Sequence, residues 1–238
     1  DNRIMQLRKN KIAIGGYRYV SKFFLLIFGP RLFKGLNEIL FWRYKKIVEG
    51  KLNNIHFEEF FTTFFELSYD DYEGKKIIDL GCGPRGSLEW ANNTKERYGL
   101  DPLADKYVKM EGKNHSMNYV RSGAEKIPFD SNYFDFVSSL NSLDHVDDLD
   151  TCIQEIKRVV KSKGKFLLIA DIHSFPTVAE PSNFDWDISE KFKPEFTVEL
   201  EKHFEGSNMY KSLRENIPFN HSDTSDRYGI LALKLVKN

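Results

Sequence analysis

Asp79 is followed closely by Gly81, Cys82 and Gly83, and a second acid, Asp101, stands 22 residues after it. Two β-branched apolar residues, Ile77 and Ile78, precede the first acid, and Gly86 extends the glycine turn. Glycines let a backbone pass close to a ligand and adopt positive φ. In an open α/β sheet a ligand sits outside the carboxyl end of such a strand. A carboxylate about 20 residues on then accepts hydrogen bonds from ribose hydroxyls. Asp79, Gly81, Cys82 and Gly83 are therefore the candidate cradle for a nucleoside-bearing cofactor, and Asp101 with Pro102 the candidate ribose contact. A glycine loop alone does not separate nicotinamide, flavin and adenosylmethionine sites.

A second set of residues suits proton transfer. Asp144 and His145 are adjacent, and imidazole is the side chain poised to take a proton near neutrality. The competing reading is that His145 packs at the approach to a helix while Asp144 holds a turn. His173 is a candidate wall of a substrate pocket, and His221 with Asp223 forms a further set in a long loop. His145, His173 and His221 lack the spacing of a metal site, so no metal is expected.

These residues need strands and turns to carry them. Ile77–Ile78 reads as a buried strand, and Gly86 to about Asn92 as the start of a helix against it. Tyr98–Leu100 is a short strand closed by Asp101, Leu103–Met110 a helix, Tyr119–Val120 a brief strand and Phe134–Leu140 another. Leu149, Cys152, Ile153, Ile156, Val159 and Val160 recur as one face of a helix. Asp147 or Asp148 caps its start, Lys161 and Lys163 suit its end, and Gly164 stops it. Lys165–Asp171 is a fifth strand, Asp187–Phe192 a short helix, and Phe196–His203 and Tyr228–Val236 two last strands. Residues 51–73 read as a helix, with Phe57, Phe60, Phe61, Phe64 and Phe65 at mixed helical spacings and a break at Ser68–Tyr72. Alternating strands and helices imply a parallel sheet.

Five pieces in order resemble the class I S-adenosylmethionine-dependent methyltransferases, in particular the small-molecule, UbiE/UbiG-like group. They are IDLGCGPRG from Ile78, the acid of YGLDP, SGAEKIPF over 122–129, FDFVSSLNSLDHV from Phe134 and IKRVVKSKGKFLLI from Ile156. They span about a hundred residues, from Gly74 to Asp171. The resemblance implies a Rossmann-like α/β fold, a mostly parallel seven-stranded sheet with an antiparallel last strand, and S-adenosylmethionine as cofactor. It implies that Asp79, Gly81 and Gly83 hold the cofactor's amino-acid end and that Gly123, Ala124 and Glu125 border its adenine. Leu140 and Asn141 then close the site at the end of the fourth strand. Family members often carry Asp where this chain has Gly123, so the adenine edge contact must come from backbone at Gly123 and Ala124, from Glu125 or from water. An acid–His pair stands at the position of Asp144–His145 in similar members and in some assists acceptor deprotonation. The helix over 51–73 is implied to cross the methionine end of the cofactor, with Thr62 and Thr63 within reach of its carboxylate.

Two other classes share parts of this pattern. A nicotinamide-dependent oxidoreductase would prefer GxGxxG, whereas this loop is GCGPRG and nothing downstream resembles a hydride-transfer site. A catalytically silent adenosylmethionine-binding protein would keep the same loop. A radical enzyme is disfavoured because two cysteines, Cys82 and Cys152, cannot hold an iron–sulfur cluster.

The chain has 238 residues, 41% hydrophobic and 29% charged, which fits one large domain or one domain with an appendage. Its formal net charge of zero argues against bulk attraction to nucleic acid. No Asn/Asp-Pro-Pro-aromatic motif follows the fourth strand, where the chain reads SSLNSLDH. Two cysteines without disulfide spacing suggest a reducing, cytoplasmic setting, and no apolar run reaches the ~20 residues of a membrane span. The first residue is Asp1 rather than Met, so residues can precede it, and no leader pattern stands in the stretch given.

The neutrality hides an asymmetry. Residues 1–50 hold eleven Lys and Arg against three acids, a net of +8, interleaved with aromatic and aliphatic residues. The expected organisation is an N-terminal helical cap over 1–73 and a cofactor-binding domain over 74–238. Residues 18–46 can either pack as that cap or contact an anionic membrane surface peripherally. A small-molecule or glycan- or lipid-linked acceptor, methylated on oxygen or nitrogen, fits these features. Oligomeric state is not readable.

Overall fold

The computed structural model describes residues 35–173, 185–206 and 208–238. The chain divides into two compact units, Asp1–Gly50 and Lys51–Asn238. The described part of the first is a helix over 35–49, α1. Leu36, Leu40, Phe41, Tyr44, Ile47 and Val48 are exposed along it. The rest of the expected cap or membrane segment, residues 18–34, lies outside the described residues, as does all of 1–17.

The second unit is built on a seven-stranded sheet. Its strands are β1 (Lys76–Leu80), β2 (Glu96–Leu100), β3 (Asn118–Val120), β4 (Phe134–Leu140), β5 (Val160–Ile172), β6 (Phe196–Glu205) and β7 (Gly229–Lys237), in spatial order β3-β2-β1-β4-β5-β7-β6. β1 pairs parallel with β2 and β4, β2 with β3, and β4 with β5. β7 runs antiparallel between β5 and β6. The expected parallel sheet with an antiparallel last strand is what forms. Its carboxyl edge gathers the ends of β1, β2, β4 and β5.

Period-two alternation sends neighbouring residues to opposite faces. Ile78, Val137, Phe166, Leu168, Leu231 and Leu233 face one core, and Ile77, Phe136, Leu167, Ile169, Ile230 and Ala232 the other. Helix α3 (Leu149–Val159) covers the first core with Cys152, Ile153, Ile156 and Val159. Asp148 caps it by accepting from the Thr151 amide at 3.0 Å, while Lys157 and Arg158 occupy its last turn. The chain turns straight from α3 into β5 at Val160, before the expected stop at Gly164. Between the β4 pairings of Val160 and Lys165 the chain bulges, with Lys163 at φ 63°. Lys161 and Lys163 therefore belong to this bulge and not to the helix end.

The second core is covered differently. The expected helix from Gly86 to Asn92 is absent: the segment is a run of turns, with the Glu89 amide bonded to Gly86 O and the Ala91 amide to Leu88 O. Only 15 residues separate β1 from β2, and the glycine loop uses the first six, which leaves no length for helix plus return. The expected helix over 51–73 is also absent as a single element. It is three short 3₁₀ stretches, Ile55–Phe60, Thr63–Phe65 and Tyr69–Tyr72. Ser68, expected as a break, caps the third through a reciprocal box with Asp71. Aromatic volume takes the place of helix here. Phe60, Phe61, Phe65, Tyr72 and Trp90 are buried, and the Tyr72 ring stacks on Phe136 with centroids 4.3 Å apart. Each such ring contributes about 1.5–3 kcal/mol relative to exposure, so a face without helices can still close. Helix α2 (Ala104–Met110) follows β2, and α4 (Met209–Glu215), not foreseen in the sequence, adds Met209 and Leu213 to the second core.

Candidate functional site

At the end of β1 the Asp79 side chain is buried, 3% exposed, and its Oδ1 accepts from Ser138 Oγ of β4 at 2.7 Å. Burial pushes its carboxyl up to about 6, against the lowering effect of the Ser87 and Ser138 hydroxyls. The chain then turns through Gly81 and Gly83, both at positive φ. A Cβ on Gly81 would lie 2.3 Å from Ser142 Cβ, so only glycine permits the loop to pack on the turn after β4. Ser142 holds that contact by donating to Leu80 O at 2.6 Å. The Gly81 amide donates to Leu100 O at 2.8 Å, the Gly83 amide reaches Asp101 Oδ2 at 3.4 Å and the Gly86 amide donates to Tyr119 Oη at 3.1 Å. Tyr119 is held by His115 Nδ1 at 2.8 Å. Cys82 turns its thiol inward, where burial raises its pKa well above the ordinary value. Cys82 thus offers the loop backbone only.

Asp101 closes β2. Its Oδ1 accepts from the Leu103 amide at 2.8 Å across exposed Pro102, and its Oδ2 faces the glycine loop. The carboxylate is thus braced from both sides at the carboxyl edge. Ala124 is buried beside Gly123, and Glu125 reaches the turn after β4, accepting from the Asp147 amide at 3.1 Å. Leu140 ends β4, and Asn141 follows in the left-handed region with its amide on Ile169 O at 2.8 Å. The sequence-predicted cofactor residues therefore converge on one edge, around the ends of β1, β2 and β4. Ser138, Ser142 and Tyr119 brace them and were not singled out in the sequence. A serine or tyrosine at a strand end has no spacing signature. Thr62 is buried and donates to Glu58 O at 2.9 Å within its own turn.

The Asp144–His145 pair occupies a 3₁₀ turn, Leu143–His145. Asp144 is buried and His145 half exposed, with Nε2 3.9 Å from Asp144 Oδ2, longer than a hydrogen bond. His173 and His221 lie elsewhere and together. They line a cleft of about 490 Å³ with Ile172, Trp186, Phe219 and Arg227. His145 is not among the residues lining that cleft. Three features of it were not read from the sequence. Trp186 stacks on His203 with centroids 4.2 Å apart, His203 Nδ1 lies 2.8 Å from His221 Nε2, and His203 Nε2 lies 2.9 Å from Glu201 Oε1. Among the described residues no group of three His, Cys, Asp or Glu is arranged to hold a metal ion, and no helix is long and apolar enough to cross a membrane.

Residues 78–168 match the family model described as a methyltransferase domain. Over 111 residues the chain is 34% identical to the ubiquinone/menaquinone biosynthesis C-methyltransferase UbiE of Shewanella sediminis, covering 40% of this chain and 42% of that protein. It is 32% identical over 90 residues to the malonyl-[acyl-carrier protein] O-methyltransferase of Enterobacter lignolyticus, covering 37% and 36% respectively. The chain thus spans less than half the length of these relatives. Among solved structures, an S-adenosylmethionine dependent methyltransferase from Mesorhizobium loti shares the fold at TM-score 0.53 and 14% identity, over 73% of this chain and 100% of that one. The sheet order, glycine loop and second acid accompany a match of residues 78–168 to a methyltransferase domain, and the fold is shared with solved methyltransferase structures.

Proposed function

We propose that the chain transfers the methyl group of S-adenosylmethionine to a hydroxyl or amine of a small-molecule or of a lipid- or glycan-linked acceptor. One observation carries this reading: Asp79, the Gly81–Gly83 turn and Asp101 meet at a single sheet edge, linked by the bond from the Gly83 amide to Asp101. The residues fit the cofactor. Asp79, a buried acid that is costly to ionise alone, suits an ammonium partner. Asp101 suits ribose hydroxyls, and the buried Ala124 with Ile127 suits an adenine face. When bound, the cofactor supplies an already activated sulfonium methyl. The protein's remaining tasks are to orient the acceptor, exclude water and, for a hydroxyl, hold its proton. His145 and His221 are the two candidates for that last role.

The names of the relatives support a small-molecule or carrier-linked acceptor: one is a C-methyltransferase of ubiquinone and menaquinone biosynthesis, the other a malonyl-[acyl-carrier protein] O-methyltransferase. The exposed apolar side chains of α1, interleaved with Arg43, Lys45 and Lys46, favour a peripheral membrane contact that would serve a lipid-like acceptor. Vesicle pelleting that weakens with salt is the expected outcome for that contact.

Titration calorimetry with S-adenosylmethionine, and separately with NAD, tests the cofactor. Saturable binding of S-adenosylmethionine, lost in Asp101→Ala, is expected; binding of NAD alone would move the chain to redox chemistry. Transfer of a labelled methyl group then separates an enzyme from a silent binder.

A further inference from the structure

Edge strand β6 carries Glu201, His203 and Glu205 on one face, because side chains two apart share a face. Each is engaged. Glu205 accepts from Arg227 Nη2 at 2.8 Å and from the Asn220 amide at 2.8 Å. Arg227 also donates to Asn220 O at 2.7 Å and to Asp223 O at 2.7 Å, and its guanidinium lies 4.2 Å from the Phe219 ring. The Phe219 amide donates to His203 O at 3.0 Å, and the Glu205 amide to Ile217 O at 2.8 Å. The loop 216–228 is thereby bound along β6, and His221 is set against His203 by this clamp.

With Glu201 ionised and His203 neutral, the bonding order allows one arrangement of protons. An ionised Glu201 only accepts, so His203 Nε2 donates to it. Neutral His203 then has an accepting Nδ1, and His221 Nε2 must donate to that nitrogen. What is left is Nδ1 of His221, a lone-pair nitrogen on a residue that lines the cleft. Trp186 stacked on His203 keeps the middle imidazole in place. By contrast, His145 Nε2 lies 3.9 Å from Asp144 Oδ2.

We propose that Glu201, His203 and His221 form a relay that makes His221 the proton acceptor for a hydroxyl group bound in this cleft. His221 is the catalytic residue, and His203 and Glu201 are positioning residues. The inference rests on the methyl-transfer reading and deepens it to O-methylation. The cleft lies where β5 continues three residues past its last pairing with β4, from Ile169 to Ile172. It therefore opens at the carboxyl edge of the sheet, the edge at which the candidate cofactor residues also lie. Among the described residues its lining joins the apolar Ile172, Trp186 and Phe219 with Asp185, Asp223 and Asp226 against one Lys or Arg, Arg227, which is already paired with Glu205. That balance suits a ring-bearing hydroxyl compound without carboxylate or phosphate. In the step, the acceptor O–H proton passes to His221 Nδ1 and the oxygen forms the O–CH₃ bond. The methyl–sulfur bond breaks with its electron pair going to sulfur, and the sulfonium becomes a neutral thioether. The positive charge left on His221 faces Glu201 through His203.

The test uses the full chain with histidine labelled in nitrogen-15 and assigned by single His→Asn variants. Expected spectra show His203 and His221 both protonated on Nε2, with the His203 pattern changed in Glu201→Gln. A His221 protonated on Nδ1, or a His203 indifferent to both Glu201→Gln and His221→Asn, overturns the relay. Catechol and methyl-labelled S-adenosylmethionine then probe the chemistry. Label is expected on a catechol oxygen. His221→Ala should lower transfer at least about 100-fold, keep the affinity for S-adenosylmethionine and recover in part with added imidazole. Glu201→Gln should lower kcat with little change in the KM for catechol. Transfer undiminished in His221→Ala, or no transfer to catechol by a chain that binds S-adenosylmethionine, overturns the proposal. Failure of the underlying methyl-transfer reading is separate: the wild-type chain would not bind S-adenosylmethionine, or would bind it and pass label to none of a panel of hydroxyl and amine acceptors.

Discussion

The glycine turn after β1 and the loop 216–228 lie on the same sheet and are held by different means. The first contributes backbone: Gly81 donates its amide to Leu100 O and Gly86 its amide to Tyr119 Oη, and Gly81 leaves no room for a side chain against Ser142. The second contributes side chains, with Arg227 and Glu205 fastening it to β6 beside two backbone bonds, from the Phe219 amide to His203 O and from the Glu205 amide to Ile217 O. A turn built on glycine presents amides and room to a ligand. A side-chain-held loop can be rebuilt without touching the sheet, which is where acceptor choice can vary.

The sharpest way to break that contrast is to add one carbon to the turn. Gly81→Ala would set a Cβ 2.3 Å from Ser142 Cβ at φ 72°. It should cost about 2–4 kcal/mol of stability by strain and overlap, read as a shift in the urea midpoint, with loss of S-adenosylmethionine binding. Cys82→Ala, which removes an inward thiol, should cost about 1 kcal/mol and leave affinity near normal. Equal effects on affinity from the two variants would mean that the turn is not backbone-held.

Next comes the imidazole pair. His221→Asn should lower methyl transfer to catechol at least about 100-fold, while His145→Asn should stay within about threefold. The reverse ranking would return proton transfer to the turn after β4.

What the sequence made legible follows the same division. Ile77, Ile78, Asp79, the glycines and Asp101 announce themselves because backbone conformation restricts residue type, and restricted types leave a pattern. The alternation of β4 and the face of α3 were legible because burial has a period. Glu201, His203 and His221 were not legible as a group. His203 and His221 meet only because β7 separates β6 from β5 and the loop returns along β6, a pairing that no local spacing encodes. Asp144 and His145 show the opposite case: neighbours in the chain, they place one side chain in the core and leave the other partly exposed. The helix expected over 51–73 failed for a third reason. Aromatic side chains can fill a core from irregular backbone, so helical spacing of Phe57, Phe60, Phe61 and Phe64 did not require a continuous helix.

A smaller effect should come from Asp79. Its folded pKa of about 6 stands above the ordinary 3.8, so the folded state holds a proton that the unfolded state has released between those values. Its contribution to stability is fully present below pH 3.8 and is lost as pH rises through about 6. Without ligand, wild type should lose on the order of 2 kcal/mol relative to Asp79→Asn between pH 4 and 7, measured by urea unfolding at each pH. S-adenosylmethionine should narrow that gap, because its ammonium favours the ionised carboxyl. A pH-independent difference would remove Asp79 from the cofactor's amino end.

The smallest effect expected is in the clamp itself. Glu205→Gln keeps the shape but removes the charge that faces Arg227, a partly exposed pair, and should cost about 1 kcal/mol. The loss should be local. Amides of 216–228 should exchange faster with solvent, while those of β1 and β4 keep their protection. His221 would then spend less time against His203, so transfer to catechol should fall modestly in kcat without a change in affinity for S-adenosylmethionine. If exchange rises evenly across the sheet, the loop is fastened by the core beneath it and not by Arg227. The two regions would then differ less than their hydrogen bonds suggest.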